Sequence, residues 1–267
     1  MPEIIEVRLD GEAQKGVYPK DVILEVLGRI RADGAVYKAI DFTGSYVEKL
    51  NVAGRMTICN MAVEMGAKTA YMQPNADVLN YVDKRAVRPY EVQFTDPDFQ
   101  YEESYVFDVS KIEPNLACPS SVENVHPLSE VVANGPIKLN QGYIGSCTGG
   151  RVEDIAIAAK ILKGRHIPEY TRLIVVPASN EVMQECMKAG YIQDLMNAGA
   201  TITTPGCGAC LGAHEGILAP GEVCITSTNR NFPGRMGSTE ALMYLASPAT
   251  VAASMVNGCI TDPRDFL

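Results

Sequence analysis

The 267-residue chain lacks tryptophan and has only three histidines, and its apolar runs stay well short of the roughly 18 residues a membrane span needs. Basic charge is also scarce: 23 Lys and Arg stand against 32 Asp and Glu, for a net charge of -9. A broad nucleic-acid surface is therefore not expected, because phosphate binding depends on clustered cations releasing counterions. Eight cysteines are too few in this length for a disulfide scaffold. The opening residues, Met1-Pro-Glu-Ile-Ile-Glu, have neither the basic flank nor the apolar run of a signal peptide, so a cytoplasmic protein is expected. What remains is an ordinary globular composition, 46% hydrophobic and 21% charged, sufficient for a large core. If the substrate is an anion, the acidic field opposes it, and a few arginines must reverse the potential locally.

Hydrophobic periodicity alternates between strand and helix. Ile4 to Leu9 reads as a strand. A helix follows near Pro19 with Val22, Ile23, Val26, Leu27 and Ile30 on one face, ended by Asp33-Gly34. A strand through Ala35 to Phe42 leads to a small-residue helix over Gly54 to Gly66. From about Gln93 to Ser129 the sequence is irregular and rich in acids and prolines, with one strand candidate at Tyr105 to Val109. A domain boundary is placed near 130, giving a first α/β domain over 1–130 and a second over 131–267. The second reads as βαβαβ: strand Gly142 to Gly145, helix Arg151 to Lys163, strand Leu173 to Val176, helix Asn180 to Asn197, strand Ala200 to Thr203. Continuous apolar strands between amphipathic helices predict largely parallel sheets covered on both faces.

Ligands of open α/β sheets gather beyond the carboxyl ends of the strands. Cys147 lies at such an end, in Gly145-Ser-Cys-Thr-Gly-Gly-Arg, where a helix N-terminus favours a thiolate. Cys207 and Cys210 occupy the equivalent place one unit later, in Thr204-Pro-Gly-Cys-Gly-Ala-Cys-Leu-Gly. Three thiolates suit zinc, with His214 as a fourth ligand, or an iron-sulfur cluster that keeps one iron open as a Lewis acid. A redox dithiol and three inert buried thiols are the plainer alternatives. Cys59, Cys118, Cys186, Cys224 and Cys259 fall where small buried hydrophobes are usual. Beyond the strand Glu222 to Ser227, the loop Thr228-Asn-Arg-Asn-Phe-Pro-Gly-Arg-Met-Gly projects toward the same edge. Its Arg230 and Arg235 carry planar forks that match carboxylates; a solvated basic loop is the alternative. His126 and His166 read as satisfied or exposed imidazoles, and Glu153 and Asp154 as favourable charges at a helix start.

Taken in order, Gly145-Ser-Cys-Thr-Gly-Gly-Arg-Val-Glu-Asp, Pro205-Gly-Cys-Gly-Ala-Cys-Leu-Gly and Ser227-Thr-Asn-Arg-Asn-Phe-Pro-Gly-Arg-Met-Gly resemble the aconitase superfamily, most closely the large subunits of 3-isopropylmalate dehydratase and homoaconitase. The segment Gly54 to Lys68 extends that resemblance over nearly the whole chain. It implies three-layer α/β/α domains with a 4Fe-4S cluster on Cys147, Cys207 and Cys210. It also implies Asn229 and Arg230 beside cluster and substrate, with Arg230 serving the chemistry, and Arg235 on a substrate carboxylate. Asp41, in Ile40-Asp-Phe-Thr-Gly, falls where the family usually has Glu, which implies a catalytic carboxylate shortened by one methylene. Gly149 replaces the family's usual Asn. The implied reaction is dehydration and rehydration of a small anionic hydroxy di- or tricarboxylate, as in leucine biosynthesis. Family large subunits begin with a further domain, bearing an Asp-His pair and an Asp-Ser-His-Thr segment, that this sequence does not contain. The expected partners are thus a small subunit and a separate chain supplying that domain, with no membrane or nucleic acid. Failing them, the chain is a non-catalytic, cluster-carrying fragment.

Overall fold

The computed structural model describes residues 2–267. In chain order the first part contains β1 (Ile4–Asp10), α1 (Pro19–Ile30), β2 (Ala39–Thr43), α2 (Ser45–Lys49), α3 (Val52–Met61), β3 (Thr69–Tyr71), α4 (Ala76–Asp83) and β4 (Glu103–Asp108). Its four strands form one wholly parallel sheet in the order β3-β2-β1-β4. Strand alternation divides the faces. Ile5, Val7, Leu9, Ile40 and Phe42 pack into a core with Val22, Ile23, Val26 and Leu27 of α1 and Ile58 and Met61 of α3. The opposite face carries Glu6, Arg8, Asp10 and Asp41, partly covered by the irregular segment before β4.

The rest of the chain contains β5 (Asn115–Ala117), β6 (Val125–Pro127), α5 (Leu128–Ala133), β7 (Gln141–Gly145), α6 (Ser146–Gly149), α7 (Val152–Leu162), β8 (Arg172–Val176), α8 (Asn180–Lys188), α9 (Tyr191–Asn197), β9 (Thr201–Ile202), β10 (Val223–Thr226), β11 (Leu242–Leu245) and α10 (Pro248–Asn257). Seven strands run in the order β6-β5-β11-β10-β7-β8-β9, with β11 to β9 parallel and β5 and β6 antiparallel at one edge. One face packs on α7 and α10 through Ile144, Ile155, Leu162, Leu173, Val251 and Met255. The other holds Tyr143, Ile174, Val176, Cys224 and Met243 against Ala209, Leu218 and Met236. Those last three belong to the loops between β9 and β11, so loops rather than helices form that layer, and the cysteine turn is part of it.

The fold is therefore mixed α/β with largely parallel sheets. Two local differences from the sequence expectations have physical causes. The helix read as continuous from Asn180 to Asn197 breaks into α8 and α9, because Gly190 adopts a left-handed φ of 81°. The change of sheet falls between Asp108 and Asn115 instead of near 130, because β5 and β6 join the second sheet through the antiparallel contact Leu245 with Ala117. That short pairing sits inside the irregular, proline-rich stretch and left no periodic signal.

Candidate functional site

The parallel register of β7, β8 and β10 brings the loops at their carboxyl ends to one side of the second sheet. Gly145 opens the first of these loops; a Cβ there would lie 2.3 Å from Val176 O, so only glycine lets the backbone turn beside β8. Ser146 follows with a positive φ of 64°, and Cys147 stands exposed on α6. Ser227, at the end of β10, ties this turn down: its Oγ accepts from Gly145 N (3.0 Å) and donates to Gly149 O (3.4 Å). A Cβ on Gly149 would meet that same Oγ at 2.2 Å, so the place of the expected Asn is filled by Ser227.

Cys207 caps a short 3-10 turn, Gly208–Leu211, that contains Cys210, and Cys210 N donates to Cys207 O (3.1 Å). The buried Tyr143 of β7 supports the turn from below, its hydroxyl donating to Cys207 O at 2.7 Å. Burial pushes the Tyr143 phenol up, and Cys210, Cys207 and Cys147 all lie close enough to add to that shift. Through its bond to Cys207 O, Tyr143 lies under the turn that carries Cys207 and Cys210. Cys147 and Cys207 are exposed, Cys210 half-buried, and none is in a disulfide. By contrast, burial raises Cys59 and Cys186 to about 11 and Cys224 to about 12, as expected of inert thiols. His214 is exposed, and among the described residues no three His, Cys, Asp or Glu side chains close on a single metal ion. The four-ligand zinc arrangement is thus not formed. Cys147, Cys207 and Cys210 are the side chains at this edge that could hold a metal group.

The arginine loop packs directly on the cysteine turn, since a Cβ on Gly212 would lie 3.1 Å from Arg235 O. Asn231 fixes its course, its amide donating to the carbonyls of Ala117, Cys118, Ser121 and Met243. Asn231 is thus a structural clamp through its amide N–H groups; its own Oδ1, the buried Oδ1 of Asn229 and the buried Nε of Arg235 have no hydrogen-bond partner among the described residues. Buried polar atoms without partners are uncommon, and those of Asn229 and Arg235 lie in the loop beside the cysteine turn. Arg230 donates through Nε to both carboxylate oxygens of Glu64, at 2.8 and 3.0 Å, and its terminal nitrogens make no hydrogen bond among the described residues.

Glu64 is the carboxylate that the sequence expectation missed. Its side chain is 8% exposed, and burial raises its proton affinity while Arg230, Lys20 and Arg235 oppose the shift. Asp41, expected in the acid-base role, lies elsewhere. Its neighbours Ile40 and Phe42 face the core beneath α1 and α3, so alternation directs Asp41 to the other face of the sheet. There its Oδ2 accepts from Tyr101 (2.7 Å) and Thr95 (2.9 Å) of the irregular segment before β4. The overlooked signal was a lone acid in the apolar run Met61-Ala-Val-Glu-Met, just after Asn60. Asn60 also reaches the site, donating to Thr148 Oγ1 at 3.3 Å.

Comparison with known proteins gives the family of the chain. The profile of the aconitase family (aconitate hydratase) matches residues 1–258. The chain is 48% identical over 264 residues to the probable methanogen homoaconitase large subunit of Methanothermobacter thermautotrophicus, covering 99% of this chain and 61% of that protein. It is 50% identical over 270 residues to 3-isopropylmalate dehydratase large subunit 1 of Methanopyrus kandleri, covering 100% and 63%. The 3-isopropylmalate dehydratase large subunit of Hydrogenobaculum sp. is 46% identical over 265 residues, covering 99% and 62%. The chain thus spans 61% to 63% of the length of these curated relatives. Among solved structures, the holo-form of aconitase X from Thermococcus kodakaraensis overlaps 90% of this chain and 54% of that one, with a TM-score of 0.46 and 12% identity, a likeness that fixes no residue correspondence. With a family profile over almost its whole length and relatives near half identity, this chain belongs to the aconitase family.

Proposed function

We propose that the chain is the cluster-bearing large-subunit component of a hydro-lyase that isomerises a small hydroxy di- or tricarboxylate, of the 3-isopropylmalate dehydratase or homoaconitase type. The observation that carries this reading is the placement of Cys147 and of the Cys207–Cys210 turn, which Tyr143 supports, at one edge of the second sheet, beside a loop whose Asn229 Oδ1 and Arg235 Nε are buried without partners. The thiols would hold a 4Fe-4S cluster, which when bound supplies an open iron, a Lewis acid for a substrate hydroxyl.

This chain's own residues supply the rest. Arg235 and the free terminal nitrogens of Arg230 offer forks to substrate carboxylates, reversing locally the field of a chain with net charge -9. Asn229 Oδ1 accepts from a substrate hydroxyl. Glu64, held by Arg230 and made a weaker acid by burial, is the carboxyl placed to hold or release a proton. The names of the relatives imply a small subunit, and their greater length implies further large-subunit sequence, supplied on this or another chain. The test is turnover of 3-isopropylmalate and homocitrate by the reconstituted chain, alone and with those parts added, read by ultraviolet absorbance of the unsaturated acid. Turnover only in the complete assembly is expected. None in any combination, with the cluster intact, would contradict the hydro-lyase reading.

A further inference from the structure

The crevice holds one more charged group that neither the thiols nor the arginine loop explains. Lys20 is the second residue of α1, directly after Pro19, and its side chain is 2% exposed. A cation is misplaced there by the ordinary rules of helix stability, since the N-terminal turn carries unpaired N–H groups and a partial positive charge. Burial costs it further and pulls its proton affinity down to about 8. Two of its three N–H donors are matched, Nζ donating to Thr228 O at 2.6 Å and to Met61 Sδ at 3.4 Å. Neither acceptor carries charge, and Lys20 forms no ion pair among the described residues. Glu64 and Asp21 are the carboxyls near enough to act on it, and the thiols of Cys210 and Cys147 are also within range. A buried cation without an ion-pair partner is costly unless an anion is placed beside it.

We propose that Lys20 is a positioning residue of the cluster site: a fixed, buried cation bonded to Thr228 O, next to the Ser227 that holds the Cys147 turn, that balances the negative charge of a thiolate-bound cluster. Its bond to Thr228 O also anchors the backbone immediately before Asn229 and Arg230, so one side chain joins the cluster cradle to the loop that binds substrate carboxylates. The inference rests on the cluster reading of the three cysteines.

Charge compensation and simple packing predict different things. Lys20→Met keeps the length of the side chain and its contact with Met61 while removing the charge; because burying an unpaired charge is costly, this variant should fold with an unchanged or raised Tm. Lys20→Arg keeps the charge. After anaerobic reconstitution with iron and sulfide, iron retained per chain on desalting and the midpoint potential of the cluster are measured for wild type and both variants. Lys20→Met should retain several-fold less iron and show a more negative midpoint, since a nearby cation stabilises the more negative, reduced form. Lys20→Arg should restore both toward wild type. Equal retention and potential in wild type and Lys20→Met, Arg and Met variants that behave alike, or a Met variant that fails to fold would each overturn the proposal while leaving the cluster in place. A wild type that builds no cluster would overturn the cluster reading, and this inference with it.

Discussion

At the scale of single residues, the site separates two carboxylates that look alike in the sequence. Asp41 and Glu64 both stand in short apolar contexts, but strand alternation turns one away from α1 while Glu64 follows α3 into the crevice beside Arg230. In the assembled enzyme, Glu64→Gln should lower turnover by about a hundredfold or more, the usual scale of losing an acid-base group, while Asp41→Asn should stay within a few-fold of wild type. Steady-state kinetics on the two variants check this; the reverse ranking would return the acid-base role to the strand. The three cysteines proposed to hold a cluster stood out in the sequence because glycines and strand ends frame them. Lys20 was not, because a lysine beside Asp21 at a helix start reads as a solvated charge until the packing of α1 on α3 buries it. Glu64 was hidden for the same reason: its partner Arg230 is 166 residues away in sequence.

At the scale of elements, the helix starts carry a pH dependence. Asp21 in α1 and Asp154 in α7 each occupy the third helical position and accept a backbone N–H from the residue before the helix, Tyr18 N at 2.9 Å and Arg151 N at 3.0 Å. Burial outweighs these bonds and raises both carboxyls from 3.8 to about 7. A carboxyl whose folded pKa exceeds its unfolded one binds more protons in the native state between those two values. Its contribution to stability is therefore fully present below about pH 4, lost as the pH rises through about 7, and constant above that. Each group can contribute at most about 1.4 kcal/mol per pH unit across this window. Asp154→Asn keeps an acceptor for Arg151 N but does not titrate, so the stability of wild type relative to this variant should fall from pH 4.5 to 7 and then level. Urea unfolding across that range measures it, and a flat difference would show that the Asp154 carboxyl keeps its ordinary acidity in the fold. The elements themselves were largely readable wherever periodicity ran for several turns, as in α1, α7 and β8. What escaped was β3, α4, α5, β11 and α10, and also β5 and β6, three residues each, whose pairing depends on a distant strand.

At the scale of the whole molecule, the crevice is assembled from both sheets. Lys20, Glu64 and Asn60 come from the helices over the first, and the cysteines and the arginine loop from strand ends of the second. Contacts between the halves hold these sets in register: Thr57 Oγ1 donates to Thr148 O at 3.1 Å, beside Cys147, and Asn115 N donates to Asp21 Oδ1 at 3.1 Å. The parallel sheets and the edge on which ligands gather could be read from strand periodicity and glycine-bounded turns. Which acidic and basic groups would meet there could not, because that depends on how α1 and α3 dock against the second sheet. The central claim is that Cys147, Cys207 and Cys210 hold one iron-sulfur cluster. It is tested most directly by anaerobic reconstitution of wild type and Cys147→Ser, followed by visible absorption and quantification of iron and sulfide. A broad cluster band with matching iron and sulfide in wild type, lost or much weakened in Cys147→Ser, is the predicted result; a wild type without the band, or a band unchanged in the variant, would contradict it.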